Sequence, residues 1–443
     1  MKIVLRYILV FLYFIGPLGA KGQVPQSPIS LSLRRAILTS LDENGSFAQT
    51  QEKEKEANYN ISASRSIYLP NLSAQGNVNK QKDAENNPLL IARKNSYNQY
   101  SLNLHLNQLL YQHGSLTTVS SAEKLRDIAL LNTSIARRDL SNNIIQAYYQ
   151  ITLNNRNIRT LTEQKDVVSE SLKTAERRQR AGSGRLLDVL QIKTQLALLD
   201  GQIVSAQNLL DESRTTLANF LGNSYAQNFI IPDTLEAPSI AELDSLIAKN
   251  TGEIPEVQRD DIAISQIDDQ RKTLWGQNLP YLNLVGNYAF TSFNEDTLFE
   301  QPANSWLIGL QLTIPLFSGL STVYQNRALL SSQLQLKLER RFIQDQFALQ
   351  QINSKKNLEN AYNSIQTGQI ALKLARESLA EAKKNYLRGT IDYLQYLSIQ
   401  QQLVVAEQSL NSYKYNYIVA LGNYYASQGQ DMMDLITLLE GNS

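Results

Sequence analysis

The sequence predicts a mixed α and β membrane protein built from two copies of one structural unit. Three observations lead to this prediction: a duplicated order of motifs, four segments in which apolar and polar residues alternate, and two very long helical runs without proline. The Leu-Pro-Asn-Leu motif at Leu69 returns about 210 positions later as Leu-Pro-Tyr-Leu at Leu279, and the Glu-Ser-Leu motif at Glu170 returns at Glu377. Because unrelated motifs recur in the same order, a whole unit has been duplicated.

The predicted division of the chain follows from this duplication. The N-terminal segment has basic Lys2 and Arg6, an apolar run over residues 7–15 and small residues before Gln23, which is the pattern of a cleaved secretory signal peptide. In order, the predicted units are a signal peptide over residues 1–22, a first repeat over 23–230, a linker over 231–252, a second repeat over 253–429 and a C-terminal tail over 430–443. Each repeat is expected to contain a helix, a β-hairpin and a long helical hairpin.

Each half is predicted to open with one helix, over residues 31–64 and 255–277, and then to change to a period of two. The four alternating segments are about 10 residues long, apolar on one side and polar or small on the other, as in transmembrane β-strands with a wet lumen. Polar loops join them over residues 80–94 and 292–304. The apolar positions are Leu72, Ala74, Gly76 and Val78; Tyr100, Leu102, Leu104 and Leu106; Leu282, Leu284, Gly286, Tyr288 and Phe290; and Trp306, Ile308, Leu310, Leu312 and Ile314.

Two ordinary hairpins on a soluble sheet would show the same alternation. The signal peptide and the aromatic residues at the segment ends favour the membrane, because Tyr and Trp collect at membrane interfaces. Four strands cannot close a barrel, and open strand edges are not tolerated in lipid. The sequence therefore predicts a barrel that is shared between subunits.

The long helical runs are predicted over residues 115–180 and 321–388. A helix of this length is on the order of 100 Å long, and its apolar residues follow heptad spacing. Each run ends at a glycine break, and a second helix returns to about residue 219 or 425, so that each half forms a helical hairpin. A coiled-coil scaffold in the periplasm, without channel activity, would also show these heptads. With strands at one end and hairpin tips at the other, we expect the helices to continue the barrel as a tube.

Composition excludes several classes of function. The chain has no cysteine, which excludes disulfides, thiolate metal sites, cysteine nucleophiles and a lipid-modified cysteine. Cleavage before Gln23 removes Lys2, Arg6 and Lys21, which leaves 39 of the 42 basic residues against 41 acidic ones, so charge gives no reason to expect nucleic-acid binding.

Residues with catalytic or ligating chemistry are also sparse. The two histidines, His105 and His113, have no carboxylate at metal-ligand spacing, and no serine lies in a nucleophile motif. The sequence therefore predicts no enzyme activity, no metal site and no cofactor.

The chain resembles the TolC-type outer-membrane efflux protein family. The resemblance rests on the strand openings at Leu69 and Leu279, the Pro-Leu-Phe-Ser-Gly turn at residues 315–319, and the two tip motifs over residues 178–190 and 386–394. It implies a homotrimer in the outer membrane of a Gram-negative bacterium, with a twelve-stranded barrel, four strands from each subunit, continued by an α-helical coiled-coil tunnel through the periplasm. It also implies a passive exit duct of an efflux or type I secretion system, whose partners are a periplasmic adaptor protein, an inner-membrane transporter and the lipid of the outer membrane.

The resemblance further implies roles for residues at the two tips. The family closes its periplasmic end through contacts near these tips, and it often places acidic rings in the second tip; the aligned positions here hold Gln395 and Ser398, with Asp392 as the nearest acid. The implied gating residues are Asp188, Tyr386, Asp392 and Gln395. The implied adaptor-docking residues are Ala181, Gly182, Ser183, Arg388, Gly389 and Thr390.

Overall fold

A computed structural model describes residues 29–81, 96–222, 229–235, 254–293, 298 and 304–441. The predicted signal peptide and most residues of both predicted strand-connecting loops and of the predicted linker lie outside these ranges. The elements in chain order are β1 (Ile29–Ser30), α1 (Leu33–Glu43), α2 (Gly45–Arg65), β2 (Asn71–Gln81), β3 (Tyr97–Tyr111), α3 (Ser115–Arg180), α4 (Leu186–Phe220), β4 (Phe229–Ile230), α5 (Pro255–Gly276), β5 (Tyr281–Ser292), β6 (Asn304–Thr313), α6 (Ser321–Arg388), α7 (Tyr393–Ser427) and α8 (Met433–Gly441).

The first predicted helix is in fact two helices. Asn44 ends α1 with an extended backbone, and its Oδ1 accepts hydrogen bonds from the backbone N–H groups of Ser46 and Phe47. An asparagine in this conformation is a favourable N-cap, so α2 begins anew there. The prediction of one unbroken helix over residues 31–64 is therefore wrong, whereas α5 matches its predicted range to within a residue.

The four long strands form one antiparallel sheet in the order β2-β3-β5-β6. The pairing register places the predicted apolar residues together on one face, with Leu72 opposite Leu106 and Leu284 opposite Leu310. This face is open in the subunit: Trp306 is 73% exposed and Leu310 is 68% exposed. The outer edges of β2 and β6 have no paired strand among the described residues, so the sheet of one subunit is open on both sides.

The helical hairpins have the predicted dimensions. Helices α3 and α6 are 66 and 68 residues long, and each packs along the helix that returns from its tip. The two hairpins also pack against each other through α3 and α7. Much of the predicted heptad seam of α3 is buried, with Ile144 and Val168 at 0% exposure. In the seam of α6 only Leu358 is buried, at 1% exposure, and the remaining positions are partly exposed: Tyr362, Ile365, Leu372 and Leu379. No described helix has both the length and the hydropathy required to cross a bilayer.

Two separate apolar cores hold the helices together. The larger core lies where the middle of α3 packs against the C-terminal parts of α4 and α7, and it also contains residues of α1 and α8. There the Tyr148 hydroxyl donates to the Leu31 carbonyl oxygen at 2.9 Å, and β1 pairs in parallel with β4. The second core lies close to the hairpin tips and includes Val189 and Tyr393. The tips are thus packed independently of the middle of the helices.

Candidate functional site at the hairpin tips

The first tip joins α3 to α4 through a turn that only glycine suits. Gly182 has φ +74°, a left-handed conformation that glycine adopts without steric cost. A Cβ on Gly184 would lie 2.6 Å from the backbone nitrogen of Gln179, so backbone packing excludes any larger residue there. The backbone N–H groups of Ser183 and Gly184 both donate to the Arg178 carbonyl oxygen, which satisfies the end of α3. Of the predicted docking residues, Ala181, Gly182 and Ser183 are exposed on this turn.

The second tip joins α6 to α7 in a similar way. Gly389 ends α6 with φ +77°, and the Thr390 N–H and hydroxyl both donate to the Asn385 carbonyl oxygen. Arg388, Gly389 and Thr390 are all exposed. The structure therefore places the six predicted docking residues on the two exposed turns.

Asp392 caps a helix, a role that was not predicted from the sequence. Its Oδ1 accepts the backbone N–H of Gln395 at 2.8 Å, which makes Asp392 the N-cap of α7. Both side chains are exposed in the subunit. These two predicted gating residues are thus brought together by a helix cap.

Tyr386 lies in an aromatic cluster at the second tip. Its ring stacks on Tyr396 with centroids 5.0 Å apart and meets Tyr393 edge-on at 6.0 Å. The guanidinium carbon of Arg178, from the end of α3, lies 5.5 Å from the centroid of the Tyr386 ring. A cation over an aromatic ring is attracted by the ring's negative face. This contact links the tips of the two repeats.

Asp188 lies in the first turn of α4, where a carboxylate stabilises the positive end of the helix dipole. Burial raises the pKa of Tyr386; the positive charge of Arg178 lowers it, and the negative charge of Asp188 raises it further. Asp188 is therefore close enough to act on the Tyr386 hydroxyl through its charge. Within the described part of one subunit, however, no hydrogen bond joins the two side chains.

Two further polar residues in this core were not singled out from the sequence. Tyr393 is 1% exposed and its hydroxyl has no partner among the described residues, while Gln400 is fully buried and lies beside the Tyr396 hydroxyl, whose pKa burial raises and Gln400 lowers. Burial raises the pKa of the Tyr393 hydroxyl well above its usual value. In the sequence, Tyr393 and its neighbour Tyr396 are spaced to lie on one side of a helix, a pattern that is typical of ordinary core residues. Their ring contacts with Tyr386 depend on the packing of α6 and could not be predicted from α7 alone.

The outer membrane efflux protein family matches residues 36–223 and 255–430, which cover most of both repeats. The chain belongs to this family. Among curated relatives, the proteases secretion protein PrtF of Dickeya chrysanthemi is 24% identical over 365 residues, covering 77% of this chain and 76% of PrtF. The outer membrane protein TolC of Vibrio cholerae is 22% identical over 391 residues, covering 85% of this chain and 86% of TolC.

A solved structure agrees with the fold. The outer membrane protein VceC from Vibrio cholerae superposes with a TM-score of 0.77 at 17% identity, covering 90% of this chain and 96% of VceC. At this identity the likeness concerns the fold alone. Outer membrane efflux proteins are a family of channels, and this one is an efflux or secretion channel of the Gram-negative outer membrane. The periplasmic scaffold without channel activity is therefore not the function of this chain.

Proposed function

We propose that three copies of this chain form one exit channel, in which three four-stranded sheets close into a twelve-stranded barrel and the helical hairpins form a periplasmic tunnel. The single observation that carries this proposal is the open sheet with one apolar face. Its edges, β2 and β6, carry unpaired backbone groups, which cannot remain unsatisfied in lipid. Pairing β2 of one subunit with β6 of the next removes every edge, and the apolar face then contacts lipid.

The tips are the proposed docking surface for a periplasmic adaptor, which couples the channel to an inner-membrane transporter. We infer that the channel itself is passive, since the sequence has no nucleotide-binding motif through which it could use ATP. Two relatives, the proteases secretion protein PrtF and the outer membrane protein TolC, have names that fit a duct for efflux or secretion. Exposure of both glycine turns leaves them free to contact a partner.

The proposed gate is the contact between the two tips. The Tyr386 hydroxyl donates to Asp188 in the closed trimer, with Asp392 and Gln395 lining the constriction. The proximity of Arg178, Asp188 and Tyr386 supports this gate, because their charges already act on one another within the subunit. A hydrogen bond to a charged acceptor contributes roughly 1.5–3 kcal/mol, so three copies could hold the closed packing.

Purification from outer membranes and planar-bilayer recording test the proposal. We expect a trimer that resists mild detergent and conducts ions, and we expect Tyr386→Phe to raise the single-channel conductance. Asp188→Ala added to Tyr386→Phe should change little more, because both remove the same bond. A monomer without conductance would contradict the channel, while normal trimers with unchanged conductance in Tyr386→Phe would contradict only the gate.

Cysteine crosslinking tests the adaptor contact. Thr390→Cys lies on the exposed second tip, whereas Tyr59→Cys, 76% exposed on α2, is a matched control far along the chain from either tip. We expect a short crosslinker in intact cells to join the adaptor to Thr390→Cys and to leave Tyr59→Cys unlinked. Equal capture at both positions would contradict docking at the tips.

A further inference from the structure

The two hairpin tips carry an excess of basic side chains. Over residues 176–190 and 381–395, which flank the two glycine turns, the chain has seven basic and four acidic residues, a net charge of +3 in each subunit. The whole chain, in contrast, has 42 basic and 41 acidic residues. Positive charge is therefore concentrated at the far end of the helical hairpins.

The acidic residues of the tips are mostly used locally. Glu176 and Glu381 each pair with a lysine, at 3.2 Å and 3.1 Å, and Asp392 caps α7. Asp188, the fourth acid, lies in the first turn of α4 and is the proposed acceptor of the gate. In the described part of the subunit, none of the four forms an ion pair with an arginine of the turns.

Three arginines at the turns have no carboxylate partner. Arg180 ends α3, Arg185 immediately precedes α4 and Arg388 ends α6, and all three side chains are exposed. None of them forms an ion pair with a described Asp or Glu. The guanidinium group is always charged, and its planar fork can donate two parallel hydrogen bonds to one carboxylate. Both turns thus present carboxylate-binding groups that the subunit itself does not use.

Exposed leucines lie beside these arginines. Leu186 and Leu187, in the first turn of α4, are 57% and 60% exposed, and Leu387, next to Arg388, is 58% exposed. Specific protein interfaces combine an apolar centre with a polar rim, and arginine is enriched in them. A free anion would use the arginines and leave the leucines in water. The combination therefore favours a protein as the partner of this surface.

We propose that the partner docked at the tips has an acidic tip of its own, whose Asp or Glu side chains pair with Arg180, Arg185 and Arg388 around apolar side chains that cover the leucines. The proposal rests on the proposed function, which assigns the tips to a periplasmic adaptor, and it adds the chemistry by which the adaptor is selected. Three subunits triple the charge at the tips. Because like charges brought together in an interface repel, an adaptor with a basic tip is rejected, and complementary charge gives specificity.

Charge reversal tests this inference on the full-length channel in cells that carry the crosslinking variant Thr390→Cys. Arg185→Glu lies on the other turn, away from the reactive cysteine, and should lower the yield of crosslinked adaptor at least about threefold. Arg180→Glu, Arg185→Glu and Arg388→Glu combined should lower it at least about tenfold. The same three positions changed to lysine should keep most of the yield, because lysine keeps the charge. Lys53→Glu, at an exposed position on α2, is the matched control and should leave the yield unchanged.

Binding of the purified trimer to the full-length adaptor identified by that crosslink is the second measurement. We expect the dissociation constant to rise at least about tenfold between 0.1 M and 1 M NaCl, because the Debye length falls from about 10 Å to about 3 Å. Changing the acidic residues of the adaptor tip to arginine should weaken binding to the wild-type channel and restore binding to the triple glutamate variant. Trimers in outer-membrane fractions are measured for every variant, so that a loss of assembly is not mistaken for a loss of docking.

The outcomes separate this inference from the proposed function. Undiminished crosslinking of the triple glutamate variant, or an adaptor whose tip has no excess of Asp and Glu, overturns the inference while docking at the tips stands. A loss of crosslinking that no charge exchange in the adaptor restores assigns the arginines to another anion and also overturns it. If Thr390→Cys captures no adaptor even with the natural arginines in place, the proposed docking fails and the inference fails with it.

Discussion

A buried ion pair between the two repeats gives the most quantitative prediction. Arg138 of α3 donates to Glu256 at the start of α5, with Nη2 2.6 Å from Oε1 and Nη1 3.3 Å from Oε2. The two residues are only 8% and 9% exposed. Arg138 also donates to Asp139 at 2.9 Å, but that carboxylate is open to solvent. The perturbation is Glu256→Gln, which keeps the shape of the side chain and removes its charge.

The expected loss follows from burial. Removing one partner of a buried pair typically costs about 3–5 kcal/mol, because it leaves an unpaired buried charge. Since Asp139 remains as a second partner of Arg138, we expect a loss at or just below the lower end of this range, about 2–3 kcal/mol. Replacing both partners, as in Arg138→Met with Glu256→Leu, should recover most of the loss, since the double variant leaves no buried charge.

Thermal unfolding of the detergent-solubilised protein, followed by helical circular dichroism, measures this effect. For a chain of this length 1 kcal/mol corresponds to about 1 °C, so Glu256→Gln should lower the midpoint by about 2–3 °C. Glu123→Gln is the matched control, because Glu123 pairs with Arg65 at 2.8 Å on the exposed surface, where such pairs contribute under about 1 kcal/mol. Equal shifts in Glu256→Gln and Glu123→Gln, or a double variant as unstable as the single one, would refute the reasoning.

Three further predictions concern caps, turns and pH. Asp392→Ala should lose about 1 kcal/mol of cap stabilisation and speed hydrogen exchange in the first turn of α7, whereas Asp392→Asn should keep the cap and exchange slowly; equal acceleration would argue against capping. Gly184→Ala should increase trypsin cleavage at the first tip more than Gly182→Ala, because the Cβ at Gly184 would lie 2.6 Å from backbone, whereas Gly182→Ala meets open space and bears only the strain of its φ of +74°; the reverse order would contradict the turn geometry. Burial raises the pKa of Asp269, but the hydrogen bonds from Lys124 at 2.6 Å and from the Ser120 hydroxyl, together with the charges of Lys124 and Lys272, outweigh it and lower the pKa. The stability that Asp269 contributes is therefore present above about pH 4 and is lost at lower pH. The thermal midpoint of Asp269→Asn should accordingly fall less between pH 6 and pH 3 than that of the wild type, and parallel falls would contradict this assignment.

The long elements could be predicted from the sequence because their signals are local. Helices α3 and α6 run from a turn to a glycine without proline, and most residues of the strands alternate between apolar and polar, so that the strands and their apolar face follow from the pattern. The break at Asn44 was missed because asparagine is tolerated within a helix, and only its backbone conformation shows that it caps α2.

The tip chemistry depended on tertiary contacts. The sequence placed Asp392 near the constriction, but its carboxylate is used by the helix cap. Likewise, the stacking of Tyr386 on Tyr396 and the approach of Arg178 bring together residues from three helices. Such contacts arise from how the two hairpins pack, which no periodicity within one helix encodes. The family resemblance located the tips, and the structure supplied the partners.

Disulfide trapping between strand edges tests the central claim, that β2 of one subunit pairs with β6 of the next. The natural chain has no cysteine, so Ala74→Cys can be combined in turn with Ile308→Cys, Leu310→Cys or Leu312→Cys without background. Within one subunit β2 and β6 are separated by β3 and β5, a distance of about 14 Å that no disulfide spans. In purified outer membranes, at least one combination should give covalent dimers and trimers and nothing larger. Monomers alone in every combination, or a ladder that continues beyond the trimer, would contradict a closed barrel of three subunits.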